Sequence, residues 1–164
     1  MSALATKSLS QNESSVLADY GTQEFVTIYV ADQILGVGVK EIQDVFAIQH
    51  LTPVPGAKRE IAGILNLRGR IVTAIDARVK LGLPPRDDDA GFVGTMAVGV
   101  EYGGEAYGIL VDRVGEVLRL KDSDFENNPI NMDAKWKSIS RGIYRLDGRL
   151  LMTIDIERLL GVKE

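Results

Sequence analysis

The sequence predicts a mainly β protein made of two copies of one unit, each with about five strands, enough for a small closed barrel. The first observation behind this is an internal repeat. NLRGRIVTAIDAR, residues 66–78, returns as RLDGRLLMTIDIE, residues 145–157, at an offset of 79. GVGVKEIQDVFAI from Gly36 returns as GILVDRVGEVLRL from Gly108 at an offset of 72. The second copy must therefore carry seven extra residues, and it does: residues 49–62 make 14 and residues 121–141 make 21. Two visible copies indicate two related modules rather than an open-ended solenoid. The second observation is that short runs with alternating, β-branched side chains recur in both copies.

The elements follow in order. EFVTIYV places Phe25, Thr27 and Tyr29 on one face and Val26, Ile28 and Val30 on the other, and TMAVGVEY repeats the pattern with Met96, Val98 and Val100. VKEIQDVFAI has helical spacing. Its partner VDRVGEVLRL contains Gly115 and several valines, which moves both towards strand. GILNL and RIVTAID flank a tight turn, as do GIYRL and RLLMTID, so each pair predicts a hairpin. Asp76 and Asp155 then stand where an N-cap carboxylate would open a short helix, and Gly82 and Gly161 where a left-handed residue would end it. Trp136 lies in the longer second insertion and is placed to pack it onto the second module. LPPRDDDAG reads as an exposed acidic connector between modules spanning about 22–85 and 92–164. Residues 1–21, rich in Ser and Ala without a basic start and apolar run, read as a flexible tail and not a signal peptide. Modules of roughly 65 residues are marginal alone, which predicts a shared core.

Composition narrows the function. In 164 residues, 45% are hydrophobic and 26% charged, the net charge is -4, and there are no cysteines and one histidine. This excludes disulfides, thiol nucleophiles and multi-histidine metal sites, and it argues against a generally basic nucleic-acid surface. No segment has the apolar length of a membrane span, so a cytoplasmic protein is expected. Asp76 and Asp155 occupy equivalent places, as in an aspartic-protease dyad, but Asp-Ala-Arg and Asp-Ile-Glu lack the tight turn of that chemistry. Helix capping accounts for them. His50 precedes a loop with no nucleophile motif, GVGVK lacks phosphate-loop spacing, and the acidic run at 87–89 reads as a solvated linker. No catalytic set, cofactor or metal site emerges. The repeat is broken in charge at one turn tip, where Arg68 stands opposite Asp147. Asp-Gly favours such a turn and Arg-Gly has no such advantage, so turn stability does not account for Arg68.

The segment LTPVPGAKREIAGILNLRGRIVTAIDARVKLGL resembles the signature region of the CheW-like chemotaxis coupling proteins. Gly63 to Gly69 supply its Gly-Val-Ile-Asn-Leu-Arg-Gly hairpin with conservative changes, and the likeness covers about residues 22–162. It implies two interlocked five-stranded SH3-like barrels forming a single domain over 22–164, and no enzymatic activity. It further implies a cytoplasmic scaffold at receptor arrays, joining methyl-accepting chemoreceptors to the regulatory domain of a CheA-type histidine kinase. An equivalent role in a non-flagellar pathway is the alternative, with a β-barrel nucleic-acid binder well behind. The resemblance assigns receptor contacts to Arg68 and Asn66 of the hairpin, and to Ile42 and Asp44 at the family's Val-x-Glu motif. Kinase docking falls to Ile42 and Val45, whose alternate strand positions suit an apolar surface or a core. Thr73-Ala74 departs from the usual Pro-Val, and Asp44 is shorter than the usual Glu.

Overall fold

A computed structural model describes residues 21–86 and 91–161. The expected N-terminal tail, apart from Gly21, and the acidic run at 87–89 lie outside the described residues. Each repeat supplies five strands. The first gives β1 (Thr22–Val30), β2 (Gln33–Gly38), β3 (Ile42–Ala47), β4 (Ile61–Leu67) and β5 (Arg70–Asp76). The second gives β6 (Met96–Tyr102), β7 (Glu105–Val111), β8 (Arg113–Lys121), β9 (Ser140–Leu146) and β10 (Arg149–Ile154). Short helices α1 (Ala77–Lys80), α2 (Ala134–Lys137) and α3 (Ile156–Leu160) complete the fold.

The strands form two five-stranded sheets, ordered β8-β1-β2-β10-β9 and β3-β6-β7-β5-β4. Each sheet mixes the repeats: two strands come from one copy and three from the other. The parallel pairs β2–β10 and β5–β7 join the copies. The chain changes sheet at Val39–Glu41 and again at Asp112, between β7 and β8.

The expected closed SH3-like barrels are not present; both sheets are open, with β8 and β9 at the edges of one and β3 and β4 at the edges of the other. The segments leaving the edge strands explain this. After Ala47 the chain meets Pro53 and Pro55, which have no N–H to donate, and only a single bridge, Thr52 to Ile64, reaches β4. After Lys121 a 3-10 turn at Asp122–Asp124 interrupts the strand, and again a single bridge, Glu126 to Ile143, reaches β9. One bridge on each side does not make a ladder. A second difference lies in VKEIQDVFAI, which begins with a 3-10 turn at Val39–Glu41 before β3. Here the backbone steps from one sheet to the other, which an uninterrupted strand could not do.

Strand alternation sets the core. Ile28, Val30, Leu35 and Val37 of one sheet meet Val98, Val100, Ile109 and Val111 of the other in a central cluster, with Ala77, Ile156, Leu159 and Leu160 packed in from the helix region. The opposite faces carry smaller clusters: Phe25, Ile34, Tyr144 and Leu151 in the first sheet, and Ile48, Leu65, Val72 and Ala97 in the second. Trp136 of α2 packs against the central cluster, which both repeats build, rather than onto the second module alone. Asp76 accepts from the Arg78 amide at 2.9 Å and Asp155 from the Arg158 amide at 3.2 Å, so both act as N-caps. Gly161, at φ 66°, ends α3 in the left-handed conformation.

Candidate functional site

The β4–β5 hairpin turns at Arg68 and Gly69, whose φ values of 54° and 83° are both positive. That is the backbone of a type I′ turn, which matches the twist of the flanking strands. Asn66 supports it: its Oδ1 accepts the Gly69 amide at 2.8 Å. The equivalent turn in the second repeat uses Asp147 and Gly148, at φ 22° and 79°. Arginine in the left-handed region is strained where Asp or Asn is tolerated, by about 1 kcal/mol. The side chain is nonetheless 76% exposed, so core packing does not compensate for it.

What Arg68 does touch is Asp44. Its Nη1 donates to Asp44 Oδ2 at 2.6 Å, while Asp44 Oδ1 accepts the Val45 amide at 2.8 Å. Directly after the turn, Arg70 Nη2 donates to Glu101 Oε2 at 2.6 Å and to the Gly104 carbonyl at 3.3 Å. Its repeat equivalent, Arg149, reaches the Asp32 carbonyl at 3.5 Å, so both arginines grip the turn of a neighbouring strand pair. Between the two ion pairs lies a cavity of about 250 Å³ lined by Phe46, Val72, Ala106 and Tyr107. Burial, then the neighbouring Glu105 carboxylate, raises the Tyr107 pKa and keeps the phenol neutral. With the guanidinium largely in solvent, the Arg68–Asp44 pair contributes on the order of 0–1 kcal/mol to stability.

The structure brings Arg68, Asn66 and Asp44 together at one rim. Ile42 lies apart from them: it pairs with Val100 and packs, half-buried, against the central core. Val45 pairs with Val98 on the core-facing side of the edge strand β3 and is 37% exposed. Arg70, Glu101 and Phe46 belong to the same rim and were not anticipated. A signal for Arg70 existed, since Arg follows the turn glycine in both copies. Nothing local marks Glu101, which comes from the other repeat. His50 is exposed in its loop.

Two further clusters sit where the chain changes sheet. Asp112 accepts from Arg78 Nε and Nη2 at 3.0 and 2.6 Å, from Arg86 Nη1 at 3.1 Å and from the Ala31 amide at 2.7 Å. Burial alone would raise its pKa, but these donors outweigh it and hold the carboxyl below the usual range. At the other crossover Arg141 spans Glu41 at 3.3 Å and Asp155 at 3.5 Å, beside a cleft of about 580 Å³. There burial prevails over Arg141, and Glu41 titrates above the usual glutamate range. Among the described residues, no group of three or more His, Cys, Asp or Glu side chains could hold a metal ion, and no helix is long and apolar enough to cross a membrane.

A comparison with protein families matches residues 24–164 to the CheW-like domain. The chain belongs to the CheW-like domain family. That CheW-like match takes in both sheets and the Arg68 rim. Among curated relatives, a chemotaxis protein CheW from Thermotoga maritima is 30% identical over 138 residues, covering 84% of this chain and 87% of its own. A probable chemotaxis protein CheW from Rhizobium etli is 28% identical over 161 residues, covering 98% and 96%. The crystal structure of the scaffolding protein TtCheW from Thermoanaerobacter tengcongensis superposes with a TM-score of 0.74 at 25% identity, covering 86% of this chain and 94% of that one.

Proposed function

We propose that this CheW-like chain is a non-catalytic coupling scaffold in chemotaxis, joining methyl-accepting chemoreceptors to the regulatory domain of a CheA-type histidine kinase at cytoplasmic receptor arrays. Family membership supports the role. The observation that carries the receptor site is Arg68, an exposed guanidinium held in a strained turn where the second repeat has the easier Asp147. Strain kept at an exposed position without a packing reward points to a contact made outside the chain. Asn66 and Asp44 serve that contact indirectly, the first by fixing the turn and the second by aiming the guanidinium. A planar guanidinium offers forked donors to carboxylates or carbonyls of a receptor helix, which Asp could not do. Val45, 37% exposed on the edge strand β3, is assigned to the kinase; Ile42, half-buried on the central core, supports β3 and is the weaker candidate for either partner.

Calorimetric titration against a receptor signalling-tip fragment and, separately, the kinase regulatory domain tests this reading. The wild-type chain should bind both. Arg68→Ala should weaken the receptor complex by roughly 1–3 kcal/mol and leave the kinase complex nearly unchanged, while Asp147→Arg should matter much less. Binding to neither partner overturns the scaffold role, and wild-type receptor affinity in Arg68→Ala overturns the site.

A further inference from the structure

The β1–β2 hairpin takes both of its sheet neighbours from the far end of the chain. On one side β1 pairs with β8, from Thr22 and Lys121 to Tyr29 and Arg113, and on the other β2 pairs in parallel with β10. The next strand, β3, already belongs to the other sheet, and the link to it is the turn at Val39–Glu41. That link is lightly held. None of its residues is buried; the Ile42 amide closes the turn on the Val39 carbonyl, and Glu41 is tied to the half-exposed Arg141 at 3.3 Å. The second repeat shows what the same link looks like when extended. An offset of 72 places Val39–Glu41 on residues 111–113, where β7 runs into β8 with Asp112 alone between them. Asp112 is pinned there by Arg78, Arg86 and the Ala31 amide, whereas the first link has at that place an exposed lysine, Lys40.

We propose that Val39–Glu41 is a hinge through which the β1–β2 hairpin exchanges between two copies of this chain. With the hinge extended, β1 and β2 of each copy lie between β8 and β10 of the other and close a two-fold dimer. The occupant is a second copy because β8 and β10 of this chain present the register and the apolar face the hairpin fits. Ile28, Val30, Leu35 and Val37 then complete the other copy's central core with the same neighbours they have in the monomer. Exchange therefore conserves the hairpin's contacts, and what changes is the hinge and the freedom lost on association. Extension also returns the half-buried Glu41 carboxylate, whose burial is unfavourable, to water. Each half of the dimer keeps β3 to β7 from a single chain, so the Arg68 rim is present twice and intact.

Refolding the full chain from urea at low and at high protein concentration, followed by size-exclusion chromatography with light scattering, tests the exchange. The dimer should grow with concentration during refolding and persist on later dilution, because release requires the hairpin to leave its sheet. A wild-type chain that is monomeric at every refolding concentration overturns the proposal. Paired cysteines separate exchange from contact between intact copies. The chain has no cysteine of its own, and Glu24 of β1 pairs with Arg119 of β8, both exposed. In Glu24→Cys/Arg119→Cys, refolded reduced and oxidised after the peaks are isolated, the dimer should run as a covalent dimer on a denaturing gel without reductant. A dimer peak whose disulfides all lie within single chains overturns exchange. Arg141→Ala, which unties Glu41, should raise the dimer-to-monomer ratio about two- to fivefold for each hinge released. An unchanged or lower ratio overturns Val39–Glu41 as the hinge.

Discussion

Replacing Arg68 by asparagine should move stability and binding in opposite directions. Asparagine followed by Gly69 would be a preferred pair for the type I′ turn, because asparagine enters the left-handed region with far less strain. Relief of that strain at φ 54° gives back on the order of 1 kcal/mol. Loss of the exposed Asp44 pair costs about 0–1 kcal/mol. The Arg68→Asn variant should therefore be as stable as the wild type or up to about 1 kcal/mol more so, which for a chain of this size raises the melting temperature by at most about 2–4 °C. Receptor affinity should meanwhile fall about 5- to 150-fold, the loss expected for one charge-assisted contact. Urea denaturation measures the first effect and calorimetric titration with a receptor fragment the second. A variant clearly less stable than the wild type would refute the strain argument, and undiminished affinity would refute the contact.

Other outcomes follow from the same structure. Because each sheet needs strands from both repeats, the chain should melt in one calorimetric transition, and residues 92–164 alone should not fold; two resolved transitions would contradict the shared core. Val45→Asp should keep the wild-type circular dichroism spectrum while weakening kinase binding, whereas Ile42→Asp should destabilise the fold through the central core. A stable Ile42→Asp would move that residue to the surface. The two crossover carboxylates should show opposite pH signatures in urea titrations. Asp112 has a depressed folded pKa, so its contribution is present above the unfolded value and lost as pH falls through the folded one; the wild-type advantage over Asp112→Asn should shrink in acid. Glu41 has a raised folded pKa, so its contribution is present below the unfolded value and lost as pH rises through the folded one. Glu41→Gln should match the wild type in acid and exceed it near neutrality, and a reversed order would assign Arg141 the larger influence.

Short-range chemistry was the legible part. Hairpin turns at Gly69 and Gly148, caps at Asp76 and Asp155 and the left-handed Gly161 all depend on residues within a few positions of one another, and the sequence displays them. Alternation in β1 separated Val26, Ile28 and Val30 from Phe25 and Tyr29 correctly because each of its faces meets a different core. Closure of the sheets is not legible in this way: a count of five strands says nothing about whether the outermost two can reach each other, and that reach is limited by Pro53 and Pro55 in one sheet and by the 3-10 turn at Asp122–Asp124 in the other. The Arg68–Asp44 and Arg70–Glu101 pairs were equally hidden, since pairing across a sheet unites residues far apart in sequence. The strain on Arg68 was visible only as an anomaly, an arginine where its repeat partner had a turn former.

The two changes of sheet also set a timetable for synthesis. All five strands of the second sheet lie within the continuous stretch from Ile42 to Val111, whereas the first sheet needs β1 and β2 from the start of the chain and β8 to β10 from its end. On a ribosome, β1 and β2 must therefore wait, with their apolar faces incomplete, until the last third of the chain emerges. The second sheet should be assembled by then and offer its half of the central core as a platform. Pulsed hydrogen exchange during refolding would register this as earlier protection in β5, β6 and β7 than in β2 and β10, and simultaneous protection would dissolve the timetable.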